Sequence, residues 1–407
     1  MNGVLSEMAK ILISSLGTGR LLNNNSQSRD YEPAVYRFLD SGKEYKTPFI
    51  AAALSEHLQI DKLYLIGTTK SMWEEVYNYF LSVSEQEIDN NYWEWLVDKI
   101  TSYRPGESSN MDDNDLKGIN EAIDSFLKYK RYTATGGSRC FIIDYGLNEK
   151  ELWNNFDVFM QIGEYIEEDD EVYIDITHAF RSIPLFLYLM LDLIGTLKFK
   201  NRFKLIGLFY GMFDAKNDFN YVPVIDLSEL YNITLWSKGA YDFINYGNGY
   251  VLSELIKDED ISKSIENISN LININYIKDF KNETDRLSDL LDNTRVNDPV
   301  LRYMEPYLRT FINRFKGISS SSMLQFELAR WYFENNRFAQ GYICLAESII
   351  SKILETYRAQ DSKINWNNNN REKVKSLIYR EDFKQHSCYY NIYETYDNVR
   401  ITRNMIA

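Results

Sequence analysis

EVYIDITHAFRSIPLFLYLMLDLIGTLKF, residues 171–199, sets a short β-rich run against a long apolar one, with a cluster of polar residues between them. Val172, Tyr173 and Ile174 are the β-branched and aromatic types that fill strands. The stretch 183–199 is too short for a comfortable membrane span and carries Asp192 near its middle, so it reads as a buried helix. The unit is a strand, a polar turn and a helix. Four other compact runs have the same character: KILISSLG (10–17), KLYLIGT (62–68), RCFIIDYG (139–146) and FKLIGLFYG (203–211). Between them lie PFIAAALSEHL (48–58) and SMWEEVYNYFL (71–81), which read as helices. Such alternation predicts an open, mostly parallel, doubly wound α/β sheet of Rossmann-like type, with helices on both faces.

The pattern holds over residues 1–235. Within it YRFLDSGKEYKT (36–47) reads as an inserted hairpin with Ser41-Gly42 near its tip, and YVPVIDL (221–227) as one more strand. Residues 84–138 are polar, turn at Arg104-Pro105-Gly106, and read as an insertion with some helix. From 236 to 407 the strand-like runs stop. Leu324, Leu328 and Trp331 recur at helical spacing, as do Tyr342, Leu345, Ile349 and Ile353. Joints are expected at Gly317 with serines 319–322, and at Asn367 to Asn370. The second half is therefore predicted to be all-α, and no internal repeat is visible.

At 407 residues the chain has room for two or three domains. Its 45 basic residues against 59 acidic leave a formal charge of −14, with a pI near 4.9. A general polyanion binder is excluded, because bulk affinity for nucleic acid is mostly phosphate neutralisation. A nucleotide ligand must instead enter a local site. Cys140, Cys344 and Cys388 lie far apart without metal-ligand spacing, which argues against a disulfide framework and for a cytoplasmic home. With three histidines, a zinc site is not expected. No signal peptide is expected, and Met8 is a candidate start.

In open α/β sheets ligands bind beyond the carboxyl ends of the strands, and four loops qualify. SSLGTGR (14–20) offers Ser14, Ser15 and Thr18 hydroxyls, with Gly17 and Gly19 permitting close backbone approach to a phosphate; a plain strand-ending turn is the alternative. GTTKS (67–71) offers Thr68, Thr69 and Ser71 as helix caps beside the cation Lys70. DITHAFRSIP (175–184) is the most informative, placing Asp175, Thr177, His178, Arg181 and Ser182 between two apolar elements. Polar groups there demand partners. Tyr210 ends its strand with a ring that can stack on a base. Asp175 with His178 lacks a third metal ligand, and His178 is not flanked for a nucleophilic triad. A dinucleotide oxidoreductase would need the GxGxxG turn, which is absent.

KILISSLGTG (10–19), GTTKSMW (67–73) and above all DITHAFRSIP (175–184) resemble the CARF–HEPN proteins of type III CRISPR systems, in the group with an Asp-x-Thr-His-Gly motif. Ala179 stands here in place of the motif's glycine. The resemblance extends over nearly the whole chain, and FELARWYFENNRFAQGYICLAESII (326–350) is similar to a core helix pair of HEPN domains. It implies a CARF-like ligand-sensing domain, then a helical connector and a HEPN-like domain. It implies also a homodimer that binds a cyclic oligoadenylate, with cyclic tetra-adenylate expected before cyclic hexa-adenylate. No resident cofactor or metal is implied. An even-numbered ring shares the two-fold symmetry of such a dimer. Ser14, Ser15, Gly17, Thr18, Gly19, Thr68, Thr69, Asp175, Thr177, His178, Arg181 and Tyr210 are the ligand-site candidates, with Asp175 either orienting neighbours or reading an adenine amino group.

The HEPN motif is Arg, four to six residues, then His. RNMIA (403–407) resembles its Arg-Asn-x-x-Ala-His form, making Arg403 and Asn404 the catalytic candidates, with the histidine expected one position beyond Ala407. Arg380 and His386 also satisfy the spacing, but Glu381 and Asp382 would oppose a phosphate. A solvated helix face is the other reading of Arg400 and Arg403. Residues 361–407 hold eight Lys/Arg and six Asp/Glu, a local excess of positive charge. The expected activity is metal-independent cleavage of single-stranded RNA, with no DNA or membrane partner. A sensor module without nuclease activity is the alternative.

Overall fold

The computed structural model describes residues 8–21, 29–30, 33–106, 109–178, 182–197, 204–274, 276–293, 298–364 and 367–406. The chain forms two compact units, Met1–Glu229 and Leu230–Ala407.

In the first unit the strands are β1 (Lys10–Leu16), β2 (Arg20–Leu21), β3 (Arg29–Asp30), β4 (Ala34–Phe38), β5 (Glu44–Thr47), β6 (Lys62–Gly67), β7 (Arg139–Ile142), β8 (Glu171–Asp175), β9 (Lys204–Gly211) and β10 (Val222–Asp226). The helices are α1 (Ile50–Leu58), α2 (Trp73–Val83), α3 (Asn90–Ser102), α4 (Lys117–Lys130), α5 (Glu149–Glu164), α6 (Ser182–Leu197) and the single turn α7 (Lys216–Phe219). α8 (Ser228–Tyr246) begins at the boundary between the units.

Eight strands make one sheet in the order β5-β4-β10-β9-β8-β1-β6-β7. β1 pairs in parallel with β6 on one side and β8 on the other, while β10–β9 and β4–β5 are antiparallel. After the β4–β5 hairpin at the far edge, the chain lays β6 and β7 on one flank of β1 and then β8 on its other flank. That reversal opens a crevice at the carboxyl ends of β1 and β8. β1 is buried on both faces, which is why it reads as a continuous apolar run instead of an alternation. One core, including Leu12, Leu63, Trp73, Phe80 and Phe126, lies against one set of helices, and another, including Ile11, Ile13, Phe159, Ile174 and Leu187, against the opposite set.

The expected elements are present, with shifted ends. The run 139–146 pairs only to Ile142, because Asp144 donates its amide to Asn155 Oδ1 at 2.7 Å. The expected hairpin is β4–β5, extended back to Ala34. α5 is a further helix, its first turn capped by Asn148, whose side chain accepts from the Glu151 amide. Residues 84–138 hold α3 and α4, and α4 buries Ile119, Ile123 and Phe126.

The second unit is helical throughout its described residues: α9 (Tyr250–Leu255), α10 (Glu259–Asn273), α11 (Ile277–Asn293), α12 (Pro299–Asn313), α13 (Ser321–Glu334), α14 (Phe338–Gln360), α15 (Asn368–Ile378), α16 (Glu381–Gln385) and α17 (Tyr390–Ile406). Asp258, Asp298, Ser320 and Asn367 cap α10, α12, α13 and α15. Two of the expected joints are thus partly helix: Ser321 and Ser322 form the first turn of α13, and 368–370 that of α15. Phe243, Phe280, Phe311, Phe315 and Trp331 share one core, and Ile350, Leu354, Ile378 and Tyr396 another. No described helix is long and apolar enough to cross a membrane.

Candidate functional site

The crevice is built around two side chains that face each other across the β1–β8 pairing. Ser14 and Asp175 are register partners, and Ser14 Oγ donates to Asp175 Oδ2 at 2.5 Å. Asp175 Oδ1 accepts the Thr177 amide at 2.9 Å, and Thr177 Oγ1 accepts the Gly211 amide at 2.8 Å. The chain of bonds therefore ties the ends of β1, β8 and β9 together. Asp175 is 0% exposed and Ser14 1%, so the carboxylate is positioned to orient its neighbours and has no surface with which to read an adenine. Thr177 likewise spends its hydroxyl on the sheet. Burial pushes the Asp175 carboxyl above its ordinary range, against the hydrogen bonds from Ser14 and Thr177.

Beside this floor lie the loops that follow β1, β6 and β8. Ser15 is 6% exposed and Thr68 2%, and the hydroxyls of both are buried without a partner among the described residues. Gly17, Thr18 and Gly19 are half-buried. Gly19 has φ +67°, and a Cβ there would fall 2.0 Å from Met72 Sδ, so the turn admits little but glycine. His178 stands edge-on to Phe213, with ring centres 6.0 Å apart. Burial lowers its pKa although the Asp175 carboxylate pulls the other way, which favours the neutral ring. Ser14, Ser15 and His178 line one narrow cleft with Phe49, Ile50 and Phe80.

The 67–71 loop departs from the expected helix cap. α2 begins after Met72, which makes no side-chain cap bond. Ser71 Oγ instead donates to Leu16 O at 2.7 Å and accepts the Thr68 amide at 3.0 Å, tying the ends of β1 and β6 to each other. Lys70 Nζ donates to Ile100 O at 2.6 Å, at the carboxyl end of α3, where a cation is favoured. Thr69 Oγ1 is 2.8 Å from Ser109 Oγ. Ser109 carries no sequence signal, since the contact spans 40 residues. Tyr210 is half-buried at the end of β9, opposite Ile225. Arg181 lies outside the described residues, as do Ala179 and Trp366. Among the described residues no group of three or more His, Cys, Asp or Glu could hold a metal.

The catalytic candidates lie on the second unit. Arg403 and Asn404 are in the last turn of α17, with Arg403 Nη2 donating to Asn404 Oδ1 at 3.0 Å. Arg380 precedes α16 and His386 follows it. The Arg380 guanidinium is held by Asp382, at 3.0 and 2.7 Å.

Comparison with known proteins adds the family. Residues 11–214, half of the chain, match the family described as CRISPR system endoribonuclease Csx1, CARF domain. Residues 232–321 match the second domain of CRISPR-associated protein MJ1674. The curated relative CRISPR-associated protein MJ1674 of Methanocaldococcus jannaschii is 37% identical over 404 residues, covering 98% of this chain and 62% of the relative. The chain thus spans about 62% of the length of that protein. Enterococcus italicus Csm6 bound to cyclic hexa-2′-fluoro-hexa-dAMP aligns over 98% of this chain and 87% of that one, at a TM-score of 0.38 and 11% identity, a likeness too slight to bear on site or ligand. On the match over residues 11–214, the chain belongs to the Csx1 CARF-domain family of CRISPR-associated proteins.

Proposed function

We propose that the first unit senses a cyclic oligoadenylate, cyclic tetra-adenylate before cyclic hexa-adenylate, as a homodimer that shares one ring. The observation that carries this reading is the crevice itself. A bonded floor of Ser14, Asp175 and Thr177 supports the half-buried backbone of Gly17 and Gly19 at the sheet's switch point, beside the buried hydroxyls of Ser15 and Thr68. Ser15, Gly17, Thr18, Gly19 and His178 contact phosphate and ribose. Thr68 and Thr69 shape the adjoining wall, and Tyr210 flanks the base. Leu185 and Leu189, one turn apart on α6, are 62% and 49% exposed and supply apolar surface for a second copy to cover.

The second unit, on the same reading, cleaves single-stranded RNA without a metal. Arg403 stabilises charge on the scissile phosphate, Asn404 holds Arg403 in place, and the histidine of the HEPN motif moves protons. The 2′-hydroxyl attacks its neighbouring phosphate, the 5′-oxygen leaves with a proton, and a 2′,3′-cyclic phosphate remains.

Calorimetric titration with cyclic tetra- and hexa-adenylate, their linear counterparts, ATP and NAD tests the sensor. A ring that binds at least tenfold more tightly than every linear competitor supports it. Equal affinity for ATP or NAD overturns it. Labelled RNA in EDTA tests the nuclease: cleavage by a C-terminally extended chain, lost in Arg403→Ala, supports the assignment. Tight ring binding without cleavage leaves a sensor alone, and activity lost only in His386→Ala moves the site to Arg380 and His386.

A further inference from the structure

Three rings stand in series where the chain passes from α16 to α17. Phe383 is 8% exposed and belongs to the core shared by Ile350, Leu354 and Ile378. Tyr389 lies nearly parallel to it, with ring centres 4.9 Å apart and 13° between the planes. His386 lies on Tyr389 in turn, at 4.4 Å and 25°. Phe383 and His386 make no ring contact with each other, which puts them on opposite faces of Tyr389. The neighbouring pairs Tyr379–Tyr393, Tyr379–Tyr396 and Tyr390–Tyr393 meet edge-on or tilted, so the parallel series is particular to these three residues.

The outer ring is held in place. The His386 carbonyl accepts the Tyr389 and Tyr390 amides at 2.9 and 3.0 Å, and its Nδ1 accepts the Cys388 amide at 3.2 Å. That last bond fixes the ring's plane and leaves the proton of the neutral ring on Nε2. His386 is exposed, and among the described residues no ring covers its outer face. Arg380 pairs with Asp382 at 2.7 Å and Lys384 with Glu381 at 3.3 Å, so the charges at α16 cancel and do not select what binds. What the face offers is a π surface already ordered, with little entropy left to lose on binding. An unpaired base takes such a surface whatever its sequence. Tyr390 opens α17 and Arg403 lies in its last turn, roughly 20 Å further along the axis.

We propose that the outer face of His386 is a base-stacking subsite for single-stranded RNA, holding an unpaired base several nucleotides from the bond that is cleaved. This deepens the nuclease reading above and rests on its substrate. His386 acts there as a platform and moves no proton. Purines are preferred to pyrimidines for their larger faces, and duplex RNA, whose bases already stack on one another, is refused.

The test is fluorescence anisotropy of the full chain with labelled oligo(A) RNA, oligo(U) RNA of the same length and an RNA duplex. Oligo(A) is expected to bind more tightly than either. His386→Ala weakens oligo(A) binding about tenfold, by the same factor at low and high salt, with circular dichroism unchanged. His386→Phe, which keeps a ring and has no nitrogen to move a proton, holds the affinity within about twofold of the parent. Equal weakness in the Phe and Ala variants would give His386 a polar role and overturn the proposal, as would a duplex bound as tightly as oligo(A). If His386→Ala binds RNA as the parent does, while cleavage still depends on Arg403, the platform fails and the nuclease stands. If binding falls in His386→Ala and returns in His386→Phe, with no cleavage by any chain, the platform stands and the nuclease fails.

Discussion

Ser14 and Asp175 sit opposite each other on adjacent parallel strands, and the 2.5 Å bond from the serine hydroxyl to the carboxylate closes the floor of the crevice. With 1% and 0% of their surfaces exposed, the pair can act on a ligand only through what it holds in place. Removing the carboxylate strands the Ser14 hydroxyl and the Thr177 amide. Asp175→Ala is expected to cost about 1–3 kcal/mol, read by urea unfolding, and to weaken ring binding.

Asp175→Asn keeps the shape and one of the two acceptors, with the Ser14 hydroxyl accepting from its Nδ2, while removing a buried charge. Burial raises the Asp175 pKa, so its contribution favours the fold at low pH and is lost as pH rises through the folded value. The asparagine variant is therefore expected to match or exceed the parent's stability at pH 7. Its advantage should shrink on moving to pH 4. An advantage that grows toward low pH would contradict the assignment.

Gly19 tests the turn after β1. With φ +67° and Met72 Sδ in the path of a Cβ, Gly19→Ala is expected to cost about 1–2 kcal/mol in thermal unfolding. The distorted loop should also lower ring affinity. An alanine tolerated in both measurements would show that the loop adopts another conformation in solution.

In the second unit Glu355 closes the start of α13, accepting from Ser320 Oγ, the Ser322 amide and Ser322 Oγ at 2.6–3.2 Å. Burial raises its pKa, but these bonds outweigh it and hold the carboxyl below its ordinary value. The stabilisation is complete above that ordinary value and is lost as pH falls through the folded one. Glu355→Ala should destabilise by about 1–3 kcal/mol at pH 7, with the gap to the parent narrowing below pH 4.

Much of this was readable from the amino acids. The strand runs at 10–17, 62–68 and 171–177 are apolar because their strands are covered on both faces, and 203–211 also became a strand, although Ile206 stays 42% exposed. The cluster at 175–178 sits between apolar elements, and Asp175 and Thr177 have partners there. Other features depend on contacts that chain order conceals. Ser71 has the look of a helix cap, yet its hydroxyl donates to Leu16 O at the end of β1. Lys70 is drawn to α3, 30 residues on, and Thr69 to Ser109.

The central claim is that two copies share one ring, and native mass spectrometry counts both directly. The account predicts a species of two chains and one cyclic tetra-adenylate, formed at equimolar ring and dimer and absent for the linear tetramer. One ring per single chain, or no retained ring at micromolar concentrations, would contradict it.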